Sequence, residues 1–352
     1  MLTPEDLSKV AFDSCEPMKV TLELTTRCNF RCGHCYNHDR SDISLKGDRG
    51  LDTSDVKEII KQAAEMGVIE LTFTGGEATL RPDLTDLIRY ASQRHLIVCL
   101  KTNGSTLTPE KVDALVDAGL QDLAITLYGF SSETHDAFTG VKGSFNRVLQ
   151  TAAYANQNHP GLLQQCTIAA LSHNIHEMEK WQSVEQEIGS PVNTNISCHN
   201  RNDLSTTAED YAPTLSEALQ YSPVSKEEVE LVQLKSGGDA STFRCGCARI
   251  SFAIFANGDV GPCVEVPWIA GNVLDQPLAE IWRESEVFAQ IRNLKSKDWK
   301  TCHGCPLTQV CNRRNCNAYK QDNNYTDADP AAGLFTYERF KRFGVSKPPC
   351  VD

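Results

Sequence analysis

Six short runs of β-forming residues, separated by amphipathic helical patterns, dominate the first two hundred residues of this chain. The runs are Val20–Thr25, Ile69–Thr74, Ile97–Thr102, Leu123–Leu127, Thr167–Ala170 and Val192–Ser197. Apolar residues at helical spacing fill the segments between most of them, and glycines such as Gly67 and Gly119 end the helical patterns. Thr108-Pro109 predicts a helix start, and a further helix is predicted over Ile175–Glu187. Strands that alternate with helices build parallel sheets. The pattern therefore predicts an α/β fold, a partial (β/α)6 TIM-like barrel, over residues 19–200.

The most unusual motifs follow the predicted strands directly, where α/β barrels carry their chemistry. In strand order they are Cys28-x3-Cys32-x2-Cys35, Gly75-Gly76-Glu77, Asn103-Gly104 and Thr126-Leu127-Tyr128-Gly129. A glycine pair or an Asn-Gly dipeptide alone is an ordinary turn. Four such motifs at one rim of a barrel predict a binding site.

The three cysteines after the first strand favour an iron-sulfur cluster with an open position. Three thiolates can hold three irons of a [4Fe-4S] cube, whereas a complete cluster normally takes four cysteines. A zinc knuckle, free buried thiols and a redox pair are the alternatives, but zinc knuckles need four ligands.

This cysteine loop resembles the cluster loop of the radical S-adenosylmethionine (SAM) superfamily. The resemblance implies that SAM chelates the open iron and is cleaved by one electron to a 5'-deoxyadenosyl radical, which takes a hydrogen atom from the substrate. It also implies contacts to SAM from His34 (adenine), Gly75, Gly76 and Glu77 (methionyl amine), and Asn103, Thr126 and Tyr128 (ribose or carboxylate). A proline often follows the glutamate in the family, whereas Ala78 stands here.

Charge and cysteine usage restrict the class of protein. The chain has 352 residues and a net charge of -12, which disfavours nucleic acid as a partner. It has fifteen cysteines but neither a visible signal peptide nor an apolar run long enough to span a membrane. We therefore expect a cytoplasmic protein whose cysteines bind metal or clusters rather than form disulfides.

A second cysteine-rich region follows the barrel. Its cysteines are Cys245, Cys247, Cys263, Cys302, Cys305, Cys311, Cys316 and Cys350. β-Formers around Asn257-Gly258 predict a hairpin with a two-residue turn that returns Cys263 to the first two cysteines. Two zinc sites with four thiolates each are one interpretation.

The spacing resembles the SPASM domain, an auxiliary-cluster extension of many peptide-modifying radical SAM enzymes, although the interval before Cys316 is one residue longer than usual. The resemblance implies a small cysteine-rich domain with a β-hairpin and short helices that holds two auxiliary [4Fe-4S] clusters. One would be held by Cys245, Cys247, Cys263 and Cys316, and the other by Cys302, Cys305, Cys311 and Cys350.

The predicted organisation is an N-terminal extension (1–18), the barrel (19–200), a helical connection (201–242) and the SPASM domain (243–352). Family resemblance implies oxidative modification, such as crosslinking or dehydrogenation, of a ribosomal precursor peptide, with a flavodoxin- or ferredoxin-like reductant. Because residues 1–18 are too few for a leader-binding domain, we expect a separate leader-binding protein or a small-molecule substrate such as a tetrapyrrole side chain.

Two alternatives stay open. An iron-sulfur electron carrier or zinc-binding interaction module would explain the cysteines, but it would leave the motifs at the barrel rim without a purpose. Cys198, at the end of the sixth predicted strand, could return a hydrogen atom to a substrate radical or be an ordinary buried cysteine.

Overall fold

The computed structural model describes residues 3–36, 50–196, 208–234, 245–266, 268–294 and 330–351, with 298, 301–302, 305–308 and 310–311 between them. Its strands are β1 (Lys19–Glu23), β2 (Glu70–Thr74), β3 (Ile97–Thr102), β4 (Leu120–Leu127), β5 (Leu163–Ala169), β6 (Asn193–Asn195), β7 (Ser251–Ile254), β8 (Asp259–Gly261) and β9 (Gly271–Asn272). They form one sheet in the order β6-β5-β4-β3-β2-β1-β7-β8-β9. Strands β1 to β6 are parallel throughout, which confirms the predicted partial barrel.

Helices between the barrel strands cover the convex face of this sheet, whereas the helices that carry Val232 and Phe340 pack in a separate small core. The helices in the described residues are α1 (Pro4–Ser14), α2 (Thr53–Glu65), α3 (Leu84–Ser92), α4 (Pro109–Asp117), α5 (Ser132–Thr139), α6 (Ser144–Asn158), α7 (Trp181–Ile188), α8 (Leu215–Gln220), α9 (Lys226–Leu234), α10 (Leu278–Glu284), α11 (Glu286–Asn293) and α12 (Pro330–Phe340). The predicted start at Thr108-Pro109 is confirmed, because the Thr108 hydroxyl accepts the Lys111 N–H and Pro109 opens α4.

The two faces of the barrel sheet differ in chemistry. Alternate residues such as Leu71, Phe73 and Leu100 are fully buried between the strands and the helices. The residues between them, for example Thr72 and Lys101, face the concave side, because side chains alternate along a strand. An apolar layer therefore supports the strands from outside, and a polar surface lines the inside.

Several elements differ from the sequence prediction. Between β4 and β5 the chain forms α5 and α6, which the sequence prediction did not include, and β5 begins at Leu163, four residues before the predicted start. The helix predicted over Ile175–Glu187 is a 3₁₀ segment, Ile175–Lys180, followed by α7. The last barrel strand, β6, spans only three residues.

The hairpin of the cysteine-rich region extends the barrel sheet. Strand β7 pairs in parallel with β1, and β8 returns antiparallel to β7. The Phe255 N–H donates to the Asp259 carbonyl at 2.8 Å, so three residues, Ala256–Gly258, form the turn. The predicted two-residue turn is therefore wrong. Gly258, with φ of 91°, supplies the left-handed residue that a three-residue hairpin loop requires.

Among the residues described, no helix is long and apolar enough to cross a membrane.

Candidate functional site

The cysteine loop begins where β1 ends and lies at the carboxyl rim of the barrel. Phe30, only 2% exposed, anchors the loop in the core. The Phe30 N–H donates to the Cys28 sulfur at 3.4 Å, and the Cys35 N–H donates to the Cys32 carbonyl at 3.3 Å. All three cysteines are half-buried. Hydrogen bonds to sulfur stabilise a cluster thiolate, so this donor set fits an iron-sulfur cluster.

The glycine pair after β2 supports the cysteine loop from behind. A Cβ on Gly75 would lie 2.4 Å from the Thr25 carbonyl oxygen, and one on Gly76 would lie 2.2 Å from that of Arg27. The Gly76 N–H donates to the Thr25 carbonyl at 2.6 Å. Only glycine permits this approach, so the pair fixes the start of the cysteine loop.

Glu77 ties two rim loops together. Its side chain is 1% exposed. One carboxylate oxygen accepts the Thr79 N–H at 3.0 Å and hydroxyls from Thr79 and Thr102 at 2.6 and 2.7 Å. The other accepts the Asn103 N–H at 2.8 Å. The carboxylate thus has four protein donors, and its hydrogen bonds join the loop after β2 to the loop after β3.

Asn103 contacts the cysteine loop directly. Its amide nitrogen lies 2.9 Å from the Asn29 side-chain oxygen and 3.9 Å from the Cys28 sulfur. Its amide oxygen accepts the N–H and hydroxyl of Ser105 at 2.9 and 2.7 Å. The orientation of the amide is therefore fixed, with its donor group towards the cysteine loop.

An aromatic wall, formed by His34, Tyr128, Phe138, His173 and Tyr211, borders the rim. The His34 ring lies 5.3 Å from the Tyr128 ring and 5.2 Å from the Phe138 ring, centroid to centroid. Phe138 stacks on His173 at 4.2 Å and meets Tyr211 edge-on at 5.4 Å. Of these residues, the sequence indicated only His34 and Tyr128. Tyr211 lies in the connection, where no local signal marks it.

Two histidines hold the Tyr128 backbone. The His135 Nδ1 accepts the Tyr128 N–H at 3.1 Å, and burial lowers the pKa of His135 to about 4. The His173 Nε2 lies 3.0 Å from the Tyr128 carbonyl oxygen, which the Asn174 amide also contacts at 2.9 Å. Burial lowers the pKa of His173 as well. Both rings are neutral at pH 7, and together with Asn174 they fix the end of β4, which also carries Thr126.

The first set of cysteines in the cysteine-rich region, called the first thiol group below, lies beside the start of β7. Cys247 contacts both Cys245 and Cys263, and these neighbours together with burial raise its pKa well above the usual value. The proposed fourth member, Cys316, lies outside the described residues. Cys247 thus lies beside two of the three cysteines that the resemblance groups with it.

The second set of cysteines lies towards the end of the chain. Cys350 interacts electrostatically with Cys302, Cys305 and Cys311, and burial raises its pKa to about 11. A Cβ on Gly333 in α12 would lie 2.4 Å from the Cys350 sulfur. Cys350 therefore lies within electrostatic range of the other three cysteines of the predicted second set, and α12 packs closely against it.

The first thiol group and the cysteine loop lie at opposite ends of β1. Cys247 pairs with Ser251, which lies beside Lys19 at the start of β1. Each strand residue advances the chain by about 3.3 Å, so the five residues of β1 separate the two groups by roughly 16 Å. Cys198 lies outside the described residues.

Known families match both halves of this arrangement. Residues 22–180 match the radical SAM superfamily, and residues 245–306 match SPASM, an iron-sulfur cluster-binding domain. The second match decides against the zinc interpretation of these cysteines. The first decides against a simple electron carrier or zinc module, and it makes SAM and an iron-sulfur cluster cofactors of this chain.

Relatives agree over most of the chain. The AdoMet-dependent heme synthase of Methanosarcina barkeri is 30% identical over 89% of this chain and 95% of its own. The mycofactocin maturase MftC of Mycobacterium tuberculosis is 31% identical over 86% and 79%. The fold of anSMEcpe, solved with bound AdoMet and a Cp18Cys peptide, matches 93% of this chain and 97% of that one with a TM-score of 0.65 at 17% identity. The chain belongs to the radical SAM superfamily and carries a SPASM iron-sulfur domain.

Proposed function

We propose that Cys28, Cys32 and Cys35 hold the radical SAM cluster and that the enzyme uses it for hydrogen-atom abstraction from a substrate within the barrel. When bound, the cluster and SAM supply a 5'-deoxyadenosyl radical, and the auxiliary clusters supply a one-electron acceptor. The hydrogen bonds to the Cys28 sulfur support this assignment. So does the fixed backing of the loop by the glycine pair.

The SAM contacts divide into direct and indirect ones. His34 and Tyr128 belong to one aromatic wall, which suits the adenine. The backbone of Gly75 and Gly76 suits the methionyl amine, because Glu77 is buried and already accepts four hydrogen bonds. Glu77 then acts by positioning the loops.

Asn103 and Thr126 are proposed to act on different groups. The Asn103 amide is directed towards the Cys28 sulfur, so its role is with the cluster as much as with SAM. Thr126 lies on the concave face near the end of β4, and its hydroxyl suits the ribose or carboxylate.

We propose the same division of auxiliary ligands that the resemblance to SPASM implies. Cys245, Cys247, Cys263 and Cys316 hold one cluster, and Cys302, Cys305, Cys311 and Cys350 hold the other. Adjacency within each group supports the division for the described cysteines. The boundaries 1–18, 19–200, 201–242 and 243–352 stay predictions, although β7 and β8 join the last unit to the barrel sheet.

The observation that supports an oxidative function is the distance between the cysteine loop and the first thiol group. The two lie about the length of β1 apart in one continuous sheet. In an oxidative reaction the substrate radical loses one electron and one proton after the hydrogen atom is taken, so the product has two hydrogens fewer. An electron acceptor within the protein suits this chemistry. Cys198 as a hydrogen-atom donor would suit a redox-neutral reaction and stays a prediction.

We propose a side chain of a ribosomal precursor peptide as the substrate, supported by likeness to a maturase and by a shared fold with an enzyme solved with a peptide. A tetrapyrrole side chain is the second candidate, since the heme synthase aligns over 95% of its length. A flavodoxin- or ferredoxin-like protein in the cytoplasm would supply the electron, and the separate leader-binding protein stays a prediction.

Mass spectrometry distinguishes these substrates. Anaerobically reconstituted enzyme, SAM and a flavodoxin reductant would be incubated with candidate precursor peptides or with an iron tetrapyrrole that carries propionates. A peptide that loses two hydrogens in step with 5'-deoxyadenosine formation supports the first proposal. Modification of the tetrapyrrole alone supports the second. Turnover without net oxidation of any product would contradict the oxidative function.

A further inference from the structure

A lysine stands on the concave floor of the barrel, in its central part. Lys101 lies on β3 between Leu100 and Thr102, which are both buried, while Lys101 itself is exposed. Because side chains alternate along a strand, Lys101 faces the concave side. Strands of parallel sheets are normally apolar runs, so a lysine within β3 is unusual even though its side chain is exposed. This position therefore calls for an explanation.

Small residues flank Lys101 on both neighbouring strands. Ala124 of β4 is its register partner. On the other side Phe73 pairs with Leu100, so Thr74 lies beside Lys101 at the end of β2. A methyl group and a hydroxyl leave room above the lysine, and the Thr74 hydroxyl adds a hydrogen-bond donor at the same level.

This floor lies directly below the cysteine loop. Asn103, two residues beyond Lys101, is 3.9 Å from the Cys28 sulfur. Two strand residues span about 7 Å, so the Lys101 backbone lies about 7 Å from the rim where SAM would bind. A group held by Lys101 would be next to the atoms that react.

The other charges on this face are already engaged. Lys19 pairs with Glu70 at 2.6 Å, and Glu23 is buried and accepts the Tyr36 hydroxyl at 2.8 Å. Asp122 attracts Lys101 but hydrogen-bonds to Cys99 instead. In the described parts of the chain the structure records neither an ion pair nor a hydrogen bond for the Lys101 ammonium.

We propose that Lys101, with the Thr74 hydroxyl, binds a carboxylate of the substrate. The ammonium attracts the anion into the barrel, and the ion pair fixes the neighbouring carbon below the rim, where the hydrogen atom is taken. An ammonium and a hydroxyl both donate to carboxylate oxygens. The substrate is thereby restricted to molecules with a carboxylate near the reacting carbon, whether peptide or tetrapyrrole. This inference rests on the proposed function of the same cavity.

The SAM carboxylate is the other possible source of the anion, so the test uses two probes. Binding of ¹³C-labelled propionate would be followed by NMR, and binding of SAM by equilibrium dialysis, both on anaerobically reconstituted enzyme. The variants are Lys101→Met, which removes the charge, and Lys101→Arg, which keeps it. Lys61→Met, on the exposed surface of α2, is the control.

We expect propionate binding to weaken at least about tenfold in Lys101→Met, to stay within about threefold in Lys101→Arg, and to be unchanged in Lys61→Met. SAM binding should be the same in all four proteins. Equal propionate binding with and without Lys101, or none in the wild type, would overturn the proposal. A loss of SAM binding in Lys101→Met would assign the lysine to SAM instead. Failure of radical formation is a separate result, because it is measured as absent 5'-deoxyadenosine while propionate binding persists.

Discussion

Replacing Glu77 with glutamine tests whether its carboxylate stabilises the rim through the hydrogen bonds of the folded protein. A glutamine keeps the shape but has only one acceptor oxygen. If that oxygen keeps the Thr79 and Thr102 donors, the NH₂ group faces the buried Asn103 N–H, and two donors oppose each other. A lost bond to a charged acceptor costs about 1.5–3 kcal/mol, and the remaining bonds lose their charge assistance. We expect Glu77→Gln to lower the free energy of unfolding by about 2–4 kcal/mol.

The assay is urea unfolding of the anaerobically reconstituted protein, followed by circular dichroism. Glu187→Gln, an exposed position on α7, is the matched control. Surface substitutions of this kind change stability by less than about 0.5 kcal/mol. If Glu77→Gln were as stable as Glu187→Gln and lost only SAM affinity, the carboxylate would contact SAM directly and the reasoning would be refuted.

Three further predictions concern Gly76, His135 and Cys263. Gly76→Ala, whose Cβ would lie 2.2 Å from the Arg27 carbonyl oxygen, should reduce the iron bound on reconstitution, whereas Gly50→Ala, with its nearest atom at 3.7 Å, should not; equal iron contents would refute the close packing. Burial lowers the His135 pKa from 6.5 to about 4. As the pH falls, His135 is therefore protonated in the unfolded chain while it is still neutral in the folded chain. The free energy of unfolding should therefore fall by up to roughly 3 kcal/mol as the pH drops from about 7 to 4, measured by urea unfolding, and His135→Gln should remove that part of the pH dependence. Cys263→Ser should remove one auxiliary signal from the electron paramagnetic resonance spectrum and leave the signal of the radical SAM cluster unchanged; loss of the latter signal would contradict the grouping.

The order of strands and helices along the barrel was predictable because each strand carries a local signal. Alternating β-formers, helix caps such as Thr108-Pro109 and glycine stops are properties of neighbouring residues, so β1, β2 and β3 were found within one or two residues. Helix α5, which the prediction did not include, buries only His135 and Thr139, so it has no apolar pattern. Helix α6 has Phe145, Val148 and Ala152 at helical spacing, a local signal that the prediction did not use.

Non-local contacts account for what the sequence did not reveal at the site. The resemblance to SPASM grouped Cys247 with Cys245 and Cys263, and in the structure Cys247 contacts both. Glu77, by contrast, looked like a ligand for an ammonium, because two of its four donors, Thr102 and Asn103, come from a second loop that only the fold brings near. The pairing of β7 with β1 likewise joins residues more than two hundred positions apart.

Formation of 5'-deoxyadenosine from SAM tests the central claim most directly. Anaerobically reconstituted wild type, Cys32→Ala and Cys166→Ala would be compared with a reductant present, Cys166 being a buried cysteine of β5 that belongs to neither cysteine motif. We predict product from the wild type and from Cys166→Ala, and none from Cys32→Ala. Product from Cys32→Ala at the wild-type rate would contradict the assignment of the cysteine loop as the radical-forming site.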